Sequence, residues 1–375
     1  MKFTASSSEL LDALMSVSKV ISSKPGLSIL ENFLFELQGN ILTVTASDGE
    51  TTLRIHVEIP QVEEEGRTAL PAKLLTDSLK EFPDQPLTFR IAPGEQVMDI
   101  IWASGASKIP CYDAADFPKL PAIGAEAETF NLPAATLLEG INNTLYATAD
   151  AELRPVLNGI YFDLDEENVT LVASDAQKLV CSEISGTKAA RTSAFILNKK
   201  PATVLRGILG RFDGEVAIQF DSKNAYFTFG EHILVCRLIE GTYPAYRSVI
   251  PKNNTNRIII GRTDLLNVVK RIAVCSNQIS NLIKLSLTHN QVMVSAQDLS
   301  FSTSAYEALP CEYEGDAMDI GFKAAPLLEI LNNLPYRDIC VGISSPTRPV
   351  LFVSADDETP ETVIKAILSP LMINS

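Results

Sequence analysis

The sequence predicts an α+β protein made of three tandem copies of one domain, each with two helices packed on antiparallel sheets. Three observations predict this. First, a strand that ends on aspartate recurs: LTVTASD (42–48), VTLVASD (169–175) and VMVSAQD (292–298). Asp48, Asp175 and Asp298 stand about 125 residues apart, a third of the 375-residue chain, and a fixed period marks a repeated structural unit. Second, a helix-period segment followed by alternating strands occurs twice in each third, so the chain carries six half-repeats. A helix followed by hairpin-linked strands favours α+β over a doubly wound parallel sheet. Third, Pro-bearing segments, DFPKLPAIG (116–124) and TYPAYRSVIPKNNTN (242–256), separate the thirds. The expected domains are 1–125, 126–252 and 253–375.

In the first third, Lys2 to Thr4 opens as a strand. Ser6 and Glu9 form an S-x-x-E capping box ahead of the helical LLDALMSV (10–17). After a loop carrying Lys24 and Pro25, ILENFLFEL (29–37), ILTVTAS (41–47) and TTLRIHVEI (51–59) alternate as strands, with Gly39-Asn40 as a turn. The pattern restarts at Pro71, suited to a first helical turn, before LLTDSLKEF (74–82). Strands LTFRIA (87–92), VMDIIWA (97–103) and KIPCY (108–112) follow, with a turn at Pro93-Gly94.

The second third repeats the order. Pro133 stands at the start of a helix, PVLNGIYFDL (155–164), VTLVASD and KLVCSEI (178–184) read as strands, and NKKPATVLRGILGRF (198–212) reads as a helix. Three strands end the unit. In the last third Thr263 is the expected cap of the helix in IIIGRTDLLNVVKRIAVCS (258–276), and IGFKAAPLLEILNNLP (320–335) supplies another. Each helix has one apolar stripe for its sheet and an opposite face free for other work.

Apolar residues make up 46% and charged residues 21%, which suits a globular chain with several cores. No apolar run reaches the roughly 18 residues of a membrane span. The N-terminus lacks the basic start and unbroken apolar core of a signal peptide, so the expected location is the cytoplasm, with no membrane partner. None of the six cysteines forms a CxxC pair, and most sit in strand-like apolar runs, as buried free thiols do.

Signals of catalysis are missing. His56, His232 and His289 stand alone in strand patterns, and no metal-ligand spacing, nucleophile elbow or phosphate loop is present. No cofactor or metal is expected. The repeated aspartates could suggest a hydrolase, but a catalytic pair must converge at one place. An Asp that ends a strand more simply bonds the next backbone amides.

The net charge of −15, from 46 acidic and 31 basic residues, argues against bulk binding to nucleic acid. The basic residues are nevertheless unevenly spread. Segment 197–211 holds Lys199, Lys200, Arg206 and Arg211 and no acid. Lys73, Lys199 or Lys200, and Lys323 begin equivalent helices; Lys24 and Arg154 fall in equivalent loops, and Lys270 and Arg271 lie on the corresponding third-unit helix. Scattered lysines commonly solvate helix faces. Repetition at equivalent positions points instead to a basic lining on an acidic body, suited to duplex phosphates and blind to base sequence. The tail AILSPLMINS (366–375) is apolar where tails are usually polar. It is either an edge strand with a buried tuck or the wall of a groove for a partner peptide.

Taken with their order and spacing, MKFT (1–4), VLNGIYF (156–162), ASDAQKL (173–179), YPAYRSVIP (243–251) and the Pro-apolar tail resemble the bacterial β sliding clamps, processivity subunits of DNA polymerase III, over the whole chain. The resemblance implies a non-enzymatic protein: three clamp domains per chain form half of a closed ring, completed by a head-to-tail homodimer around double-stranded DNA. It implies DNA contacts at Lys24, Lys73, Arg154, Lys199 and Lys200, and a dimer contact at Ile109, Val274 and Cys275. It further implies a pocket for short peptides of the replicative DNA polymerase, the clamp loader, repair polymerases and other clamp-binding proteins. That pocket would be built by Leu157, Ser174, Ala176, Gln177, Lys178 and Leu179, by Pro244, Ser248 and Val249, and by Thr347, Pro349 and Ile367. The tail would add Ser369, Pro370, Leu371 and Met372. The family often has Gly-His-Arg where this chain has Ala176-Gln177-Lys178, and Met-Pro-x-Arg where it has Ser369-Pro370-Leu371-Met372 and three further residues. The alternative is a monomeric repeat scaffold that binds linear peptides without encircling DNA.

Overall fold

The computed structural model describes every residue except 25, 93, 125, 188–190, 357–361 and 374–375. Pro25 and Pro93, expected in a loop and a turn, therefore lie outside the described residues, as does the end of the tail. Six α-helices occur among the described residues, one per half-repeat: α1 (Ser7–Val17), α2 (Ala72–Lys80), α3 (Ala134–Leu145), α4 (Lys199–Leu209), α5 (Arg262–Ala273) and α6 (Ala324–Asn333). Antiparallel sheets make up most of the remaining regular structure, with five short 3-10 turns among the described residues, so the α+β expectation holds.

Local chemistry sets the helix starts. Ser6 Oγ accepts the Glu9 N–H at 3.3 Å, and Leu10, Leu14 and Val17 bury the stripe that follows. Thr263 does not cap α5. It lies inside the helix, because Gly261 ends the strand Asn256–Gly261 and the Arg262 N–H is already held by the Arg337 carbonyl. Pro155–Leu157 is a 3-10 turn rather than part of a strand, since proline has no N–H for a ladder. Residues 320–323 belong to the strand Met318–Lys323, where Ile320 and Phe322 face the core, and helix begins only at Ala324.

The chain forms two compact units, Met1–Leu138 with Lys200–Leu238, and Glu139–Lys199 with Ile239–Ser375. These cut the middle repeat because sheets run across repeat boundaries. In the first unit an eight-stranded sheet joins strands of the first and second thirds. Its seam pairs His232–Arg237 with Thr51–Glu58, Cys236 opposite Thr51. In the second unit another eight-stranded sheet has its seam between Lys178–Ser185 and Thr362–Leu368, with Leu179 opposite Ile367.

Two smaller sheets complete the units. A five-stranded sheet ends on Gly105–Pro110, and a four-stranded sheet ends on Thr303–Pro310. By position in the repeat, Gly105–Pro110 corresponds to His232–Arg237 and Thr362–Leu368. Thr303–Pro310 corresponds to Thr51–Glu58 and Lys178–Ser185. Both counterparts of each edge strand lie in a seam, whereas the edge strands themselves pair on one side only.

Candidate functional site

The second unit contains a cavity of about 170 Å³ whose floor is made at the seam. Leu179 and Ile367, cross-strand neighbours, pack with Leu157, Val172, Tyr243 and Tyr246 in one small apolar cluster. Strand pairing places the first two side by side, so this floor exists only when the last strand of the chain joins the second repeat.

One rim is the turn after Val169–Ser174. Asp175 Oδ1 accepts the N–H groups of Gln177 and Lys178, both at 2.8 Å. Ser174 Oγ donates to the Lys178 carbonyl at 2.8 Å and accepts the Ala176 N–H at 3.1 Å. These bonds hold Ala176 at φ 72°, a left-handed conformation that costs an L-residue energy but turns its methyl to the cavity rim. The tail is fixed beside this turn by the Ser369 N–H, which donates to the Gln177 carbonyl at 2.9 Å.

The opposite wall is aromatic. Tyr243 stacks on Tyr161 with ring centres 4.6 Å apart, and Tyr246 donates to Asp163 Oδ2 at 2.7 Å. Tyr243 is 7% exposed, and its hydroxyl meets no partner among the described residues. Burial, with Cys181 nearby, pushes that phenol above its usual range, so it stays a neutral donor.

Of the sixteen residues expected to form the pocket, Leu157, Ser174, Ala176, Gln177, Lys178, Leu179, Pro244, Val249, Ile367 and Ser369 line this cavity. Thr347, Leu371 and Met372 line a neighbouring groove instead. Ser248 closes a 3-10 turn with its Oγ on the Ala245 carbonyl at 2.6 Å, while Pro349 and Pro370 are half-buried beside the two. Sequence reasoning missed Tyr243 and Tyr246, although both stand in the quoted 243–251 segment. It assigned Arg154 only to DNA, and Arg154 lines the cavity.

The aspartate signature is structural, as expected. Asp48 Oδ1 accepts the Glu50 and Thr51 N–H groups at 2.9 and 2.7 Å, and Asp298 Oδ1 accepts that of Ser300 at 2.9 Å. Among the described residues no cluster of three His, Cys, Asp or Glu stands ready to hold a metal, and no helix is long and apolar enough to cross a membrane. Cys111, Cys181, Cys236 and Cys340 are buried thiols, and Cys275 and Cys311 are half-buried.

Among the expected basic residues, Lys24 and Lys73 are exposed. Lys199 Nζ holds Asp150 Oδ2 at 2.7 Å, and Lys200 bonds Asp48. Lys19, which the sequence did not single out, donates from the 3-10 turn after α1 to the Gly207 carbonyl on α4 and lies near Arg211. At the open edges, Ile109 is buried within Gly105–Pro110, Val274 at the end of α5 is 85% exposed, and Cys275 is half-buried. Arg271 of α5 holds Glu307 of the strand Thr303–Pro310 through two bonds of 2.9 and 2.6 Å.

Comparison with known proteins matches three family models in order: the N-terminal, central and C-terminal domains of the DNA polymerase III beta subunit, at residues 1–121, 131–245 and 247–367. The beta sliding clamp of Proteus mirabilis is 30% identical over 342 residues, covering 90% of this chain and 92% of that one. The beta sliding clamp of Escherichia coli K12 is 29% identical over 367 residues, with coverage of 97% and 99%. The crystal structure of a Pseudomonas aeruginosa sliding clamp bound to griselimycin superposes with a TM-score of 0.93 at 25% identity over the full length of both chains.

Proposed function

The chain belongs to the DNA polymerase III beta subunit family, the bacterial sliding clamps, and on that premise we propose that two copies close head to tail around duplex DNA and tether the replicative polymerase to it. It is a non-catalytic processivity factor built from three clamp domains per chain, and we place the domain limits at 1–125, 126–252 and 253–375.

One observation carries the ring. Each seam joins the strand that closes one domain to the fourth strand of the domain before it. The first domain's closing strand, Gly105–Pro110, and the third domain's equivalent, Thr303–Pro310, are left open at opposite ends of the repeat order. A second copy supplies the missing partner for both edges, which makes a heterologous contact that closes by rotation. Val274 and Cys275, beside the edge strand Thr303–Pro310, would meet the edge of the second copy that carries its Ile109. A monomeric scaffold would leave both edges unpaired, and relatives named as sliding clamps do not favour it.

Processivity then follows from topology. A closed ring cannot leave circular DNA without opening, so weak contacts suffice and sliding remains fast. Lys24, Lys73, Arg154, Lys199 and Lys200 are the proposed phosphate contacts. Lys199 and Lys200 would share their charge with Asp150 and Asp48, which keeps the grip loose. The cavity at the seam is the proposed peptide site of polymerases, the clamp loader and repair proteins. Its apolar floor takes side chains. The cytoplasm is the proposed location.

The test is retention on nicked circular DNA after loading at physiological salt. The ring reading expects loss on linearisation. Equal retention on linear and circular DNA would overturn it.

A further inference from the structure

Beyond the cavity, the second unit has a groove of about 1170 Å³ on the helix-free face of the four-stranded sheet. Strand alternation turns Val292 and Val294 to the core and Met293 and Ser295 to this face. Four of the fourteen large apolar residues exposed among the described residues line it: Met293, Leu299, Tyr306 and Met372. That concentration is a patch rather than scatter. Its charges, Lys284 and Asp319, satisfy each other at 3.3 Å, so the groove offers no net charge on a chain of −15.

The tail joins this groove to the cavity. Ser369 lines the cavity, whereas Leu371, Met372 and Ile373 line the groove, with Pro370 between. The Leu371 N–H donates to the Gly321 carbonyl at 2.7 Å. Gly321 leaves room for this approach: a Cβ would meet the Leu282 side-chain tip at 2.8 Å and the Leu371 carbonyl at 3.0 Å, so both would have to shift. Two extended residues span about 7 Å, so a few residues beyond a cavity-bound peptide reach the groove.

We propose that the groove receives the segment of a polymerase chain that adjoins its cavity-bound peptide, an extended, uncharged stretch with apolar side chains. This rests on the cavity being the peptide site. Such a segment covers Met293 and Tyr306 and meets no unpaired charge, and its contacts continue those of the cavity without a gap. Acidic or basic flanks are disfavoured, because a charge buried there finds no counter-ion.

The test measures binding of two probes to the full-length chain: the polymerase's isolated clamp-binding peptide, and the intact polymerase catalytic subunit of the same bacterium. Met293→Glu and Ser295→Glu change the exposed face and spare the core. Each is expected to weaken the intact polymerase by about tenfold while leaving the short peptide within about twofold. Val249→Glu, at the cavity, should weaken both probes. Unchanged polymerase affinity in both groove variants overturns the proposal, as does a change in their oligomeric mass, which would make the groove a contact between copies. If Val249→Glu leaves both probes unchanged, the cavity reading itself has failed.

Discussion

Lys178 Nζ lies 2.8 Å from Glu329 Oε2 on α6 while it also holds Asp175 Oδ2 at 2.5 Å, and its side chain is 5% exposed. One ammonium thus ties the rim turn of the cavity to a helix on the other side of the sheet. Burial works against its charge, but the hydrogen bonds it donates to Asp175 and Glu329 outweigh this and raise its pKa above the ordinary lysine value.

Lys178→Met should leave two carboxylates facing each other without their cation. We expect a loss of about 2 kcal/mol in denaturant unfolding, below the full cost of a buried pair because Glu329 is half exposed. Glu329→Gln should cost less, since Asp175 remains. Because the lysine pKa is raised on folding, its contribution is complete below about pH 10.5 and is lost as pH rises through the raised value. Equal stability of Lys178→Met and the parent at pH 7 would remove the tie.

Ala176 holds φ 72°, where its counterpart after Asp48 is Gly49 at φ 96°. Ala176→Gly should relieve strain and stabilise the chain by about 0.5 kcal/mol, the small net of strain lost and entropy gained. It also removes a methyl from the cavity rim, so peptide affinity should fall about threefold, near the value of one buried carbon. Calorimetry on the variant checks both signs. A gain in affinity would show that the methyl obstructs the ligand.

His232 stacks on Phe229 with ring centres 5.2 Å apart, and its Nε2 is 2.7 Å from Ser16 Oγ on α1. Burial lowers its pKa, Lys19 adds to the fall, and Glu231 opposes it. A depressed histidine contributes stability that is complete above the unfolded value near 6.5. That stability is lost progressively as pH falls from there through the folded value. The histidine resonance should therefore titrate below 6.5 by NMR, and His232→Gln should flatten the stability profile below that pH. An ordinary titration at 6.5 would contradict the assigned burial.

Val274, 85% exposed at the end of α5, is expected to be covered in the dimer. Val274→Arg should cost about 2 kcal/mol of association and shift native mass towards one chain at low concentration, with no loss of monomer folding. An unchanged dimer constant would move the contact elsewhere on the open edges.

The repeat, the six helices and the aspartate turns were legible because they rest on local rules. Periodicity names the buried stripe, and an aspartate that ends a strand bonds the next amides wherever it occurs. Helix and strand limits failed where a longer-range bond intervened, as at Arg262, whose N–H is taken by Arg337. Ten of the pocket residues came from resemblance, and no local pattern marks them as neighbours. Tyr243 and Arg154 were missed because only tertiary position tells a linker tyrosine from a cavity wall, or a loop cation from a phosphate contact.

What the sequence determined by itself was the unit: one helix and its strands, repeated six times, with an acidic body and local basic runs. Only tertiary structure decided which repeats share a sheet. Backbone N–H and C=O groups are the same at every strand, so the order of strands in a sheet is written in no single segment. Register across the seam then sets Leu179 beside Ile367, nearly 190 positions apart in the chain, and in doing so makes the floor of the cavity.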